Sequence, residues 1–393
     1  MKTIIKITCI LLMTSLVSSC DEEGGLFDLG DSSKLSSYSE SGGSSGGGDN
    51  QGDGGEAGLI TAGEWNDLDN WDFWNDLVDG QDYNTMPAYW DFYSNNRFSV
   101  LVMSNGEALV DSKIELFKDD DSEWIARTDN TGKAELWYGL YEETSSIQEK
   151  DFSIKINDQD VATDLTLVED GVNELAVDME KNSSTRVEIS FIVDATGSMA
   201  DELEFLKEDL KDVIQQVEDQ NNALDILTST VFYRDEQDDY LTKKSDFTSD
   251  LDETISFINK QSAAGGGDFP EAVHTALEVG INELQWSTTA RTRISFLLLD
   301  APPHYTTDIV NDIHAIVEDA ARKGIKIIPI TASGIDKETE FLMRFMAIST
   351  NGTYVFITDD SGIGGEHLEA SVGEFKVELL NELMVRLIKQ YSE

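Results

Sequence analysis

The stretch VEISFIVDATGSM, residues 187–199, decides the fold. Its first half, Val187 to Val193, is an apolar-rich run with β-branched residues, which is how a strand covered on both faces of a parallel sheet reads. The chain then turns polar and sets Asp194, Thr196 and Ser198 at every second position, with Gly197 giving the backbone room to turn. Leu203, Leu206, Leu210, Val213 or Ile214, and Val217 follow at three-to-four spacing and predict an amphipathic helix. Strand, oxygen-bearing loop and helix together make a binding layout, because ligands sit off the carboxyl ends of such strands. One carboxylate with two hydroxyls is a hard-oxygen set. It suits Mg²⁺ or Mn²⁺ better than zinc.

Asp194-Ala195-Thr196-Gly197-Ser198 resembles the DxSxS/DxTxS motif of the von Willebrand factor type A (vWA) family, which opens a metal-ion-dependent adhesion site (MIDAS) there. The segment 184–393 supports that resemblance, because strands and helices alternate along it as in a doubly wound, mostly parallel α/β sheet. After the first strand and helix, the pattern predicts strands at Asp225–Tyr233 and Asp239–Lys243, then helices at Leu251–Asn259 and Glu271–Leu284. Strands at Arg293–Leu299, Ile325–Thr331 and Thr353–Ile357 alternate with helices at Thr307–Arg322, Lys337–Ile348 and Val372–Tyr391. The resemblance implies three loops converging on one divalent metal, Mg²⁺ first, with Mn²⁺ or Ca²⁺ as alternatives. The first loop brings Asp194, Thr196 and Ser198. The third brings Asp300, directly after an apolar strand, which alone could equally be a helix cap.

The second loop departs from the family, which places a threonine there. This chain reads Gly265-Gly266-Gly267-Asp268-Phe269-Pro270-Glu271. The glycines admit close backbone approach, Asp268 is the expected oxygen donor, and Glu271 is the alternative. Either acid could instead serve the start of the helix that Pro270 opens. A third carboxylate would leave the site net negative, improving metal retention and weakening attraction for an acidic partner. Asp235 ends the strand expected beside the first, and His304 follows Asp300; both are placed at the rim, behind or beside the ligands. No nucleophile elbow, phosphate loop or zinc spacing occurs. The reading is therefore not an enzyme but a protein-recognition module. A purely structural metal, with binding by the Trp-rich or β region, and a metal-dependent hydrolase are the rivals.

Composition bounds the partners. The 393 residues carry 77 acidic and 28 basic side chains, a formal charge of −49. Such a surface repels phosphate backbones, so nucleic acid is not an expected partner. Both cysteines, Cys9 and Cys20, lie at the N-terminus, which leaves no disulfide scaffold. Residues 1–19 read as a signal peptide, with Lys2 and Lys6 ahead of an apolar-rich run. Val17-Ser18-Ser19-Cys20 resembles a bacterial lipobox, which implies lipidation of Cys20 and a membrane anchor. Asp21-Glu22-Glu23 resembles an export signal of surface lipoproteins, which implies a surface-exposed outer-membrane lipoprotein.

Residues 20–58 are rich in Gly, Ser and Asp and read as a flexible tether. Residues 59–96 hold Trp65, Trp71, Trp74 and Trp90; Trp71, Trp74 and Leu77 or Val78 share one helical face. A segment this short has no core of its own, so packing is favoured over a carbohydrate or partner site. Residues 97–180 show short strands between turns, predicting a small all-β sandwich. Strands are expected at Phe98–Val102, Lys113–Phe117, Trp124–Thr128, Ala134–Tyr138, Asp151–Ile156, Leu165–Val168 and Glu174–Val177. This segment resembles Ig-like and carboxypeptidase-regulatory-like modules, where it acts as a spacer.

Overall fold

The run Val187–Val193 sits where its composition demands, third in an eight-stranded sheet and buried on both faces. The computed structural model describes residues 57–144, 147–162, 164–220 and 223–393. The expected signal peptide, Cys20 and nearly all of the expected tether lie outside the described residues. Strand order is Thr242–Thr248, Asp225–Tyr233, Arg186–Asp194, Thr292–Leu299, Ile325–Thr331, Tyr354–Ile357, Thr61–Trp65, Glu378–Leu379. The five from Asp225–Tyr233 to Tyr354–Ile357 run parallel, and the flanking pairings are antiparallel.

Alternate residues of the first strand feed two different cores. Ile189, Phe191 and Val193 pack under the helices Ala200–Gln220 and Leu380–Ser392. Ile192 faces the opposite layer, with Val310, Ile313 and Val317 of Thr307–Lys323 and the aromatic residues of Lys337–Ser349. The period of two along the strand therefore places helices on both faces. Among the described residues no helix is long and apolar enough to cross a membrane.

The Trp-rich segment is not a separate piece. Thr61–Trp65 enters the main sheet, pairing Ala62 with Ile357 and Trp65 with Tyr354. The helix Trp71–Val78 then buries Trp74 against Phe341 and Phe345, at ring separations of 5.6 and 6.3 Å. Trp71 leans on Trp137 of the β segment, 5.8 Å away, and Trp90 is 2 % exposed. These rings are packing residues, as expected, but they join two units instead of serving only the next one. The β segment is thus inserted between the first strand of the main sheet and the rest of it.

That insertion consists of two four-stranded sheets. Phe98 of one meets Phe152 of the other at 5.1 Å. Leu165–Val168, expected as a strand, is not one; the chain there turns through a short 3₁₀ stretch at Val168–Asp170, and Gln159–Ala162 supplies the strand instead. The closing helix begins at Leu380, not Val372. Residues 372–377 run ahead of it, and Glu378–Leu379 adds a final edge to the sheet by pairing with Thr61 and Ala62. The edge strand expected at Asp239–Lys243 lies at Thr242–Thr248. The helix expected at Glu271–Leu284 starts at Val273 and ends in a π stretch, Val279–Glu283.

One buried acid sits on the outer helix without compensation. Asp209 accepts from Gly58 N at 2.6 Å through Oδ1, while Oδ2 has no partner. Burial, with Asp212 and Glu208 nearby, pushes its carboxyl up to about 7. Asp209→Asn keeps the acceptor and removes the charge. It should raise stability by about 1–3 kcal/mol at pH 8 and by less at pH 5, where the folded acid is already protonated. Denaturant midpoints at the two pH values check this; equal effects would contradict it.

Candidate functional site

The carboxyl ends of two adjacent parallel strands place the first and third loops side by side. Val193 pairs with Leu298, so Asp194 and Asp300 follow each other across the sheet. Asp194 is fully buried and Asp300 is 4 % exposed. Thr196 N and Oγ1 both donate to Asp194 Oδ1, at 2.8 and 2.7 Å, which fixes the loop as a tight turn around that oxygen. Thr196 Oγ1 and Ser198 Oγ lie 3.1 Å apart. The short 3₁₀ turn Gly197–Met199 then leads into the long helix.

The second loop closes over them through its glycines. Gly265 and Gly266 have φ of +81° and +69°, a backbone region that L side chains rarely adopt. A Cβ on Gly266 would stand 2.9 Å from Glu271 Oε1 and 3.4 Å from Thr196 Cβ. Gly197 N donates to Gly265 O at 3.1 Å, stitching the first loop to the second. Beyond the glycines, Asp268 and Phe269 are exposed, whereas Glu271 is 2 % exposed. Glu271 N donates to Pro302 O at 2.9 Å and the residue bridges to Pro303, so the third loop holds it in place. The structure therefore brings Asp194, Thr196, Ser198, Glu271 and Asp300 together and leaves Asp268 on the surface.

Electrostatics at this point are unfavourable for the bare chain. Burial pushes Asp194 up to about 6, despite its bonds from Thr196. Burial, then the charge of Asp194, raises Asp300 to about 7. Burial, then Asp194, Asp235 and Asp300, raises Glu271 to about 9. Asp194 Oδ2, Glu271 Oε2 and Asp300 Oδ1 are each buried without a hydrogen-bond partner. Arg234 is near but its guanidinium is committed to Ala195 O at 3.0 Å and Ser262 O at 2.7 Å. Buried carboxyls without a counter-charge favour their protonated form until a cation takes the proton's place, and the hydroxyls of Thr196 and Ser198 add neutral oxygens, so the donor set fits a hard divalent ion. Among the described residues no three His, Cys, Asp or Glu side chains form a preassembled metal cage.

Asp235 and His304 sit at the rim. His304 Nε2 lies 2.7 Å from Asp235 Oδ1, tying the loop after the second strand to the third loop. Several participants had no sequence signal beyond proximity. Asp238 Oδ2 accepts from Asp235 N and from Gly266 N, at 3.2 and 2.9 Å, and so anchors the glycine loop. The Tyr233 hydroxyl, pushed up by burial and then by Asp194, stands behind the site. On the other side Glu202 Oε1 accepts from Ser333 N at 3.1 Å and lies 3.2 Å from His367 Nε2. Burial alone would lower His367; the carboxylates of Glu202 and Asp359 overcome it and raise it.

Residues 188–365 match the family profile described as the von Willebrand factor A domain. An ariadne-like RING finger protein of Acanthamoeba polyphaga mimivirus is 35 % identical over 122 residues, 31 % of this chain and 12 % of that protein. The alpha-protein kinase vwkA of Dictyostelium discoideum is 30 % identical over 125 residues, 32 % of this chain and 20 % of that one. The chain thus spans a fifth or less of the length of these curated relatives. Among solved structures, an aerotolerance-related membrane protein of Bacteroides fragilis aligns at 15 % identity with a TM-score of 0.33. BatB of Bacteroides thetaiotaomicron aligns at 14 % with a TM-score of 0.36. Each alignment covers 52 % of this chain and 98 % of the other.

Proposed function

We propose that this chain, which carries a von Willebrand factor A domain over residues 188–365, binds one divalent cation and recognises a protein partner through the face that holds it. The observation that carries the reading is the set of three buried carboxylate oxygens without partners, on Asp194, Glu271 and Asp300. Asp194, Thr196, Ser198 and Asp300 would hold the ion, and Glu271, in place of the expected Asp268, would serve as the second-loop donor. Mg²⁺ fits the hard-oxygen set best, with Mn²⁺ and Ca²⁺ as alternatives. A divalent ion held there would neutralise the carboxylates and supply a Lewis-acidic contact for a partner group. Three carboxylates around a doubly charged ion leave the site net negative, which disfavours an acidic partner group.

The sequence adds a setting. Lipidation at Cys20 would anchor the chain to a bacterial outer membrane, with residues 21–58 as tether and the β insertion, Ig-like in pattern, as spacer. The chain is read as a recognition module with no catalytic role.

Calorimetric titration of the full chain with Mg²⁺, Mn²⁺ and Ca²⁺ tests the site. One binding event is expected, lost in Asp194→Ala, weakened about tenfold or more in Glu271→Gln, and unchanged in Asp268→Ala. Binding that survives Asp194→Ala would refute the site. Loss in Asp268→Ala but not in Glu271→Gln would return the second-loop position to Asp268.

A further inference from the structure

The opposite end of the sheet carries a feature that the cation site does not use. A cleft of about 380 Å³ opens where the small β insertion meets the end of the helix Thr307–Lys323 and the start of the strand Thr292–Leu299. Arg127, Arg293, Arg322 and Lys323 line it, and no carboxylate does. In a chain with 77 acidic and only 28 basic side chains, an incidental cleft would be lined mainly by acids.

The counter-charges lie behind or beside the walls. Asp111, its side chain 3 % exposed, holds Arg127 Nε at 2.6 Å and Arg293 Nη1 at 2.8 Å, one carboxylate between two guanidiniums. Glu188 is 1 % exposed and stands 3.8 Å from Arg293 Nε, while both its oxygens accept from Ser287 N at 3.1 Å. Arg322 pairs with Asp319 on its own helix, and Glu318 Oε1 lies 3.9 Å from its Nη2. Lys323 touches no carboxylate among the described residues. Its Nζ donates to Ile281 O at 2.9 Å and to Asn282 Oδ1, and Asp319 and Glu278 act on it only through space. An ammonium has three donors, so one remains for a ligand; Arg322 is exposed, and its five N–H donors exceed what Asp319 and Glu318 take up. Trp286, half-buried with its Nε1 bonded to Gly280 O at 2.9 Å, adds a rigid aromatic wall.

We propose that this cleft binds a small phosphate-bearing ligand, whose oxygens Lys323 and Arg322 engage, while Arg127 and Arg293, their charges already balanced by Asp111 and Glu188, form its rigid walls. Several acceptor oxygens on one anion match several converging N–H donors, and charge-assisted bonds are stronger than neutral ones. Arg293 begins the strand whose other end leads into Asp300, seven residues and about 23 Å away. The two sites can therefore succeed or fail separately.

The test uses the full chain in metal-free buffer at fixed ionic strength, titrated with inorganic phosphate, pyrophosphate and succinate, and read by calorimetry and tryptophan fluorescence. Saturable one-to-one binding of phosphate or pyrophosphate is expected. It should weaken at least about tenfold in Lys323→Gln and in the exposed-site variant Arg322→Gln, with thermal midpoints little changed. Asp194→Ala should bind the anion as the wild type does, and Trp286→Phe should lose the fluorescence change while keeping the heat. Absence of saturable binding, equal affinity in both charge variants, or saturation by succinate alone would overturn the proposal.

Discussion

Stripped of divalent cations, the chain should lose stability as pH rises from about 4 to about 9, and saturating Mg²⁺ should flatten much of that slope. Asp194, Asp300 and Glu271 are raised to about 6, 7 and 9 in the folded chain. Unfolded, such groups titrate near pH 4. Between those limits the folded chain holds protons that the unfolded chain has released, so raising the pH favours unfolding. Below the unfolded values both states are protonated and the penalty is absent. Each full proton of difference contributes a slope of about 1.4 kcal/mol per pH unit. Asp209, raised to about 7, and His367, also raised, slope in the same direction. They do so with or without the ion, so the difference between the two arms isolates the cation site. Urea midpoints at pH 5, 7 and 9, in chelator and in excess Mg²⁺, measure it. Identical slopes in both arms would mean that no ion neutralises these carboxylates.

Replacing Arg344 with Met should cost about 3–5 kcal/mol, the range for stripping one partner from a buried ion pair. Arg344 is fully buried in the helix Lys337–Ser349. Its Nε donates to Asp67 Oδ2 at 2.9 Å and its Nη1 to Ser371 O at 2.6 Å, with Glu340 Oε1 3.4 Å from Nη1. The guanidinium also lies 5.2 Å from the ring centroid of Trp74. Glu340 in turn accepts from the Tyr83 hydroxyl at 2.5 Å and from Ser371 N at 2.7 Å. Met fills similar space but leaves Asp67 and Glu340 as buried acids without a cation. Adding Asp67→Asn to Arg344→Met should recover part of the loss, because one uncompensated charge goes with it. Chemical denaturation of the single and double variants checks both points. A single-variant loss below about 1 kcal/mol would show that the network is worth no more than a surface pair.

Asp67 and Arg344 are 277 positions apart, and nothing in either neighbourhood announces the pairing. Thr61–Trp65 is five residues long and has no strict alternation, so its place in the main sheet follows only from the free edge of Tyr354–Ile357. The late start of the last helix has a similar cause. Residues 372–377 are helix-compatible in composition, yet Glu378 and Leu379 pair with Thr61 and Ala62, and the helix begins after that edge contact.

The central strands and helices of the α/β half were legible in the sequence, while the strands Thr61–Trp65 and Glu378–Leu379 at its edge were not. Long apolar strands and amphipathic helices carry their period in the residues, so Asp225–Tyr233 and Ile325–Thr331 were legible to the residue. That Asp194, Thr196, Ser198 and Asp300 lie together was implied by the resemblance to the vWA family, and it is consistent with strand ends in a parallel sheet sharing one edge. Tertiary structure alone decided the second loop. Three successive glycines set no direction for the chain, and only the bond from Glu271 N to Pro302 O and the close approach to Thr196 turn Glu271 inward and leave Asp268 outside. Burial decided the electrostatics in the same way, because a carboxylate's charge is written in the sequence but its desolvation depends on what the fold packs around it.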